Sequence, residues 1–307
     1  MPDTQEIAVV PPHRDRRGSS WGTVLLTLLL ATVVGVAGAF ALVVGFWPDP
    51  AADAPPRAAG EDRGDDRRAS AAPALRTARV ALDPAVPAGS EAAVLGGWPL
   101  IAADEFDAPV LDPASWFPYT GGAAGGNGSR SEDSLSVADG VLTVTARGLQ
   151  SGGAAWSPDQ TYGRWEVRAR TEAGAGYRPA VLLWPDAEDW PEGGEIDFLD
   201  TPDSGRTETN FVVHFGKQNS QVGSTVVGDF TEWHTYAVEW TPEHIAGFVD
   251  GQEVFRTTDP AHIPTRPMHL VVQQDVGPSA DGWTPALDGS TPPEVRMKID
   301  WVRVYGL

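Results

Sequence analysis

From Trp98 onward the chain keeps no apolar residue at helical spacing over a long window. It breaks instead into short runs separated by Gly, Pro and Asp-Gly. Alternation of apolar and polar residues with a period of two marks a strand with one buried face. The runs are YGRWEVRART, AVLLW, GEIDFLD, TNFVVHF, HTYAVEW, HLVVQQDV and VRMKIDWVRVY. Asp139-Gly140 in SLSVADGVLTVTAR and Asp250-Gly251 in IAGFVDGQEVFRT signal two hairpins, because Asp-Gly tolerates the left-handed backbone of a two-residue turn. Roughly ten short strands in about 210 residues, without strand–helix alternation, predict an all-β, two-sheet antiparallel sandwich. Within RWEVRAR the alternation sends Trp165, Val167 and Ala169 to the core and Arg164, Glu166, Arg168 and Arg170 to a solvated outer face.

The segment before this domain divides into three. In residues 1–20 the HRDRR stretch just ahead of the apolar run carries Arg14, Arg16 and Arg17 against Asp15, a bias that keeps an N-terminus cytoplasmic. Residues 21–47 contain no charge and are bracketed by Trp21 and Trp47. A run of about 20 apolar residues spans a bilayer as a helix, so this stretch is expected to be a transmembrane signal-anchor. A cleaved signal peptide is the competing reading, but its apolar region is usually shorter, about 7–15 residues. Residues 48–97 are rich in Ala, Pro, Arg and Asp with few large apolar side chains, which predicts a disordered linker. Residues 98–307 form the exported domain, membrane-anchored and extracytoplasmic.

The chain has no cysteine, which removes disulfides and thiolate chemistry. Residues 98–307 hold 13 basic against 31 acidic residues. That balance argues against nucleic acid or another polyanion as partner, and nothing in the sequence implies a protein partner.

The acids of GEIDFLD carry the chemical question. Glu195 and Asp197 are two apart and share a strand face, whereas Asp200 has the opposite parity. In a regular strand the first two face water and Asp200 opens a turn. A β-bulge between Asp197 and Asp200 resets the alternation and brings all three carboxyl groups to one face.

GEIDFLD resembles the bulged Glu-x-Asp-x-x-Glu motif of glycoside hydrolase family 16, the laminarinase and lichenase group. DEFDAPVLDPASW, YGRWEVRART, WPEGGEID, WHTYAVEWTPEHIAGFVDG and KIDWVRVY also stand in that family's order. The resemblance implies a concanavalin-like jelly roll with a glycan cleft. It implies Glu195 as nucleophile, Asp197 as its hydrogen-bonding neighbour and Asp200 in the acid/base place. Retaining glycosidases need two carboxyl groups about 5–5.5 Å apart. The family has Glu where this chain has Asp200, whose carboxyl is withdrawn by roughly one C–C bond, about 1.5 Å.

Further roles are implied by the same resemblance. Trp190 is expected to stack on sugar and His214 to line the cleft beside Glu195, since symmetric pairing across the intervening turn sets 195 opposite 214. Arg178 and Leu182 occupy two positions where the family has tryptophan, with Trp184 on the same strand parity. Arg178 forms a salt bridge or meets a polar or anionic substituent. Either Gln273 or Gln274, but not both, faces the sugar. His234 caps a strand end. No cofactor is required, and a structural Ca²⁺ is implied at Asp300 with backbone oxygens near Glu105 and Gly140. The resulting expectation is a retaining endo-β-glycosidase acting on a β-1,3-glucan or related polysaccharide. The alternative is a glycan-binding module with a degenerate site.

Overall fold

The computed structural model describes residues 77–82, 96–123, 127–279 and 282–307. Both Asp-Gly hairpins form as their sequence requires. Asp139 and Gly140 have φ of 53° and 72°, and Asp250 and Gly251 have φ of 51° and 79°, the left-handed pair that lets two antiparallel strands reverse without splaying.

Two 8-stranded sheets result. The first runs, edge to edge, Thr77–Ala81, Ser220–Val227, Glu208–Phe215, Glu195–Asp200, Tyr177–Pro185, Met268–Val276, Gly153–Gln160 and Trp116–Pro118. The second runs Gln252–Thr257, Ile245–Val249, His234–Trp240, Gly163–Thr171, Val295–Tyr305, Val141–Ala146 and Leu135–Ala138, with Leu100–Asp104 also paired to Val295–Tyr305. One face of each sheet contributes to a common core. Val181, Leu183, Ile196, Phe198, Val213 and Val272 come from the first sheet, and Trp165, Val167, Val238, Trp240, Ile299 and Val302 from the second. The other face of the first sheet carries a small apolar set, Ala180, Leu182 and Val271, with Tyr119 and Trp184 against it.

Two expectations change. Arg164 and Glu166 lie on the face opposite Trp165 but are buried rather than solvated. Arg164 donates to Glu166 at 2.8 Å and to Glu239 at 2.6 Å, and the Tyr305 hydroxyl donates to the second Glu166 oxygen at 3.3 Å. Buried charges persist when paired and hydrogen-bonded, and strand neighbours far away in sequence supply those partners here. Arg168 and Arg170 instead lie over the Trp233 ring.

The second change concerns residues 77–81, within the stretch expected to be a disordered linker. They form a strand parallel to Ser220–Val227. Val80 and Leu82 pack against the core, Arg79 donates to Glu208 at 2.5 Å, and Gln252 donates to the Ala81 carbonyl at 3.1 Å. Among the described residues no helix is long and apolar enough to cross a membrane. The 21–47 run, and with it the expected anchor, lies outside the described residues.

Candidate active site

The acids sit on the Glu195–Asp200 strand, between Tyr177–Pro185 and Glu208–Phe215. Leu182 pairs with Asp197 and Val181 with Leu199, so Phe198 is an extra residue and the register slips there. Ile196, Phe198 and Leu199 all enter the core. Two successive inward side chains reset the alternation. Glu195, Asp197 and Asp200 thereby reach the face that carries Ala180, Leu182 and Trp184.

Glu195 stands opposite His214, the register that symmetric pairing requires. Trp190, which is 41% exposed, donates from Nε1 to Glu195 Oε2 at 2.7 Å. The Trp190 ring lies nearly parallel to Trp184, with centroids 6.1 Å apart and planes at 11°. His214 Nε2 is 3.2 Å from Asp197 Oδ2, while its Nδ1 is 2.7 Å from Asn219 Oδ1. Asp197 is fully buried.

These neighbours shift protonation. Burial, reinforced by the Asp197 charge, pushes the Glu195 carboxyl up to about 8 against the pull of His214, Arg178 and the Trp190 hydrogen bond. Burial disfavours the His214 cation, but Asp197 and Glu195 together with Asn219 outweigh it and raise the imidazole to about 9. Glu195, Asp197 and His214 bring ligand-type atoms within 4.8 Å of one another. His214, opposite Glu195 and 3.2 Å from Asp197, is placed to share a proton with the two carboxylates.

Asp200 has a different environment. Its side chain has 0% exposure. Arg178 donates from Nε to Oδ1 at 2.5 Å and from Nη2 to Oδ2 at 2.8 Å. Trp283 Nε1 donates to Oδ2 at 2.9 Å. The backbone below is anchored too, since Thr209 and Asn210 donate to the Asp200 carbonyl. Burial, joined by the Asp197 charge, keeps the Asp200 carboxyl raised above the usual aspartate range although Arg178 and Trp283 pull against it. Burial lowers Arg178, yet Asp200 overrides it and holds the guanidinium above its usual value. The pair is a bidentate ion pair, the geometry in which guanidinium and carboxylate attract most strongly.

A pocket of about 250 Å³ opens beside Glu195, walled by Leu182, Trp184, Tyr119, Glu188 and Gln273. Asp200 is not part of its wall. Gln273 is therefore the glutamine that faces the pocket; it donates to Asp275 at 3.0 Å. Gln274 is buried on the other side and donates to the Val144 and Val295 carbonyls. Trp184 donates to Glu188 at 3.0 Å, and Arg130 pairs with Asp275 at 2.6 Å.

Tyr119, Arg130, Glu188, Asn219 and Trp283 are site residues that sequence reasoning missed. Asn219 alone left a local signal, four residues beyond the end of the TNFVVHF run.

His234 begins its strand and holds Asp250 at 2.6 Å and the Asp229 carbonyl at 2.9 Å, a structural role. The Asp300 carboxylate, the one side chain implied to hold a cation, has a guanidinium partner. It pairs with Arg168 at 2.5 Å, and the Glu105 carboxylate pairs with Arg303 at 2.9 Å. A Ca²⁺ ion takes six to eight oxygen ligands. Asp300 supplies one oxygen toward that number, and the other implied ligands are backbone oxygens near Glu105 and Gly140, which the fold keeps close together.

The sequence matches the family described as Glycosyl hydrolases family 16 over residues 126–303. A β-glucanase of Rhodothermus marinus is 33% identical over 249 residues, covering 68% of this chain and 85% of that protein. The crystal structure of the Rhodothermus marinus laminarinase superposes with a TM-score of 0.61 at 30% identity, covering 68% of this chain and 97% of the other. The catalytic domain of an endo-1,3-β-glucanase (laminarinase) from Thermotoga petrophila gives a TM-score of 0.63 at 25% identity, covering 68% and 98%.

Proposed function

The chain belongs to family 16 of the glycosyl hydrolases, and on that premise we propose that it is a retaining endo-β-glycosidase acting on a β-1,3-glucan or a related polysaccharide. The observation that carries this reading is the bulge at Phe198, which brings three acids to one sheet face with Glu195 open to the pocket. Glu195 attacks the anomeric carbon and forms a glycosyl ester. Water then hydrolyses that ester, so configuration is retained. The His214 cation, 3.2 Å from Asp197 and opposite Glu195, offsets the charge of the Glu195 carboxylate. Trp190 and Trp184 supply a flat apolar surface for sugar, and Gln273 supplies an amide for a hydroxyl group. Asp200 occupies the acid/base place.

The uncharged 21–47 run supports anchoring to a membrane with this domain on the outer side. The substrate would then be met outside the cytoplasm.

A second reading, a glycan-binding module, is favoured by one observation: Asp200 is covered by Arg178 and Trp283. Glu195→Gln separates the two. For an enzyme it abolishes release of reducing ends from β-1,3-glucan while a binding titration still shows glucan affinity. Identical rates in both proteins, or binding without turnover in either, would sink the hydrolase reading.

A further inference from the structure

Arg178 and Asp200 both depart from the pattern the chain otherwise resembles, and the structure joins these two departures in one contact. The guanidinium fork engages both carboxylate oxygens, at 2.5 and 2.8 Å, and the Trp283 indole adds a third donor at 2.9 Å. Arg178 also lies 5.8 Å from the Trp283 ring centroid, so one side chain backs the other. Three hydrogen bonds from donors that cannot take its place as acids favour the charged carboxylate, against the burial that opposes it, and they occupy the oxygens that would otherwise present a proton to substrate. With no exposed surface, Asp200 also lacks contact with the pocket that reaches Glu195. The nucleophile is open and the acid/base place is closed.

We propose that Arg178 and Trp283 are positioning residues that hold Asp200 as a covered carboxylate, so that the departing glycosidic oxygen receives no proton from it. The inference rests on the retaining reading above. In the first half-reaction the Glu195 carboxylate bonds to the anomeric carbon. The bond to the leaving oxygen breaks, and that oxygen departs with the electron pair. A phenolate of low basicity leaves readily as an anion, whereas a sugar alkoxide needs a proton. In the second half a water oxygen attacks the anomeric carbon, the ester to Glu195 breaks, and the water's proton passes to solvent. Without a base in contact, this half is slow and the glycosyl ester accumulates.

The test uses the full-length protein in detergent with aryl β-laminaribiosides, from dinitrophenyl to phenyl, and with a β-1,3-glucan. The dinitrophenyl substrate should give a rapid release of one phenolate per protein, a matching gain in intact mass that Glu195→Gln removes, and a slower steady state. Azide, an anionic acceptor that needs no base, should accelerate that steady state. The phenyl substrate and the glucan should be slower by on the order of 10²–10⁴-fold, the usual contribution of general acid catalysis. In the Arg178→Trp/Asp200→Glu double variant the initial release and the azide response should vanish. The ratio of glucan to dinitrophenyl rates should rise by about 10²-fold. Arg178→Lys, which keeps the cation, should retain the wild-type dependence on leaving group, a result that loss of packing alone does not produce. If the wild-type rates are flat across the leaving groups, with no rapid release and no azide effect, Asp200 is a working acid and the inference is overturned while the hydrolase reading stands. If no protein cleaves any of these substrates and none gains mass, both are overturned.

Discussion

Glu195 and His214 face each other across two strands, and both bind a proton more tightly than they do in water. The nucleophile must be ionised, and its carboxyl is held at about 8. We therefore expect kcat/KM for an aryl β-glycoside to rise through about pH 8 and then level off. A bell with a falling limb would report a working proton donor. Stability follows the same groups. His214 is raised to about 9, so its contribution is fully present below about pH 6.5, its unfolded value. That contribution is lost as pH rises through 9, because the folded state then binds more protons than the unfolded one only below that point. Glu195, also raised, to about 8, adds a loss that begins at its unfolded value of about 4.3, so urea midpoints should fall from there to about pH 9 and His214→Gln should flatten the part above about pH 6.5. Asp200→Glu is a further residue-scale test. Its added methylene enters a fully buried, clamped position, where overpacking costs about 1–3 kcal/mol. The single variant should lose stability and gain no glucanase rate, and its gain awaits replacement of Arg178. A rise in glucan rate for Asp200→Glu alone would show that reach, not the clamp, limits the wild type.

At the scale of elements, the Glu195–Asp200 strand shows what a sequence can and cannot reveal. Counting by two exposes the wrong parity of Asp200, and a bulge is the backbone device that corrects it. Opposite parity, pairing of Glu195 with His214 and both Asp-Gly hairpins were legible because they depend on residues close in sequence. The clamp on Asp200 was not, since Trp283 lies 83 residues away on a loop whose path no periodicity dictates. Burial of Arg164 and Glu166 was hidden for the same reason, as Glu239 arrives from a neighbouring strand 75 residues on. The Thr77–Ala81 strand was masked by its context of Ala, Pro and charge. Its edge position gives a direct test. A chain beginning at residue 98 lacks the half-buried Val80 and Leu82 contacts and bares the Ser220–Val227 edge, which invites pairing between copies. Relative to a chain beginning at 77, it should be about 2 kcal/mol less stable. That corresponds to a Tm lower by about 4–8 °C, with more self-association in light scattering. Equal Tm values would mean that the strand contributes no net stability.

At the scale of the whole molecule, an acidic β-sandwich follows an uncharged run, and the two obey different solvents. The domain's 13 basic and 31 acidic residues keep it soluble and repel anionic surfaces. The 21–47 run has no charge to hold it in water, and its length exceeds the apolar region of about 7–15 residues usual for a cleaved signal. With Arg14, Arg16 and Arg17 ahead of it, such an anchor would be oriented with its N-terminus inside. Membrane attachment through one helix would leave the stalk from 48 onward to carry the sandwich away from the surface until the Thr77–Ala81 strand docks on its sheet. If the run is an anchor, fractionation of cells making the full-length protein should place it in the membrane pellet at high salt, because such attachment would be apolar and not electrostatic. External protease should then release the domain by cutting between residues 48 and 76, and the released piece should keep residues 77–82. Recovery of a mature chain starting near residue 42 from the medium would overturn the anchor. Cleavage between residues 83 and 95 with loss of the 77–82 segment would instead overturn its docking.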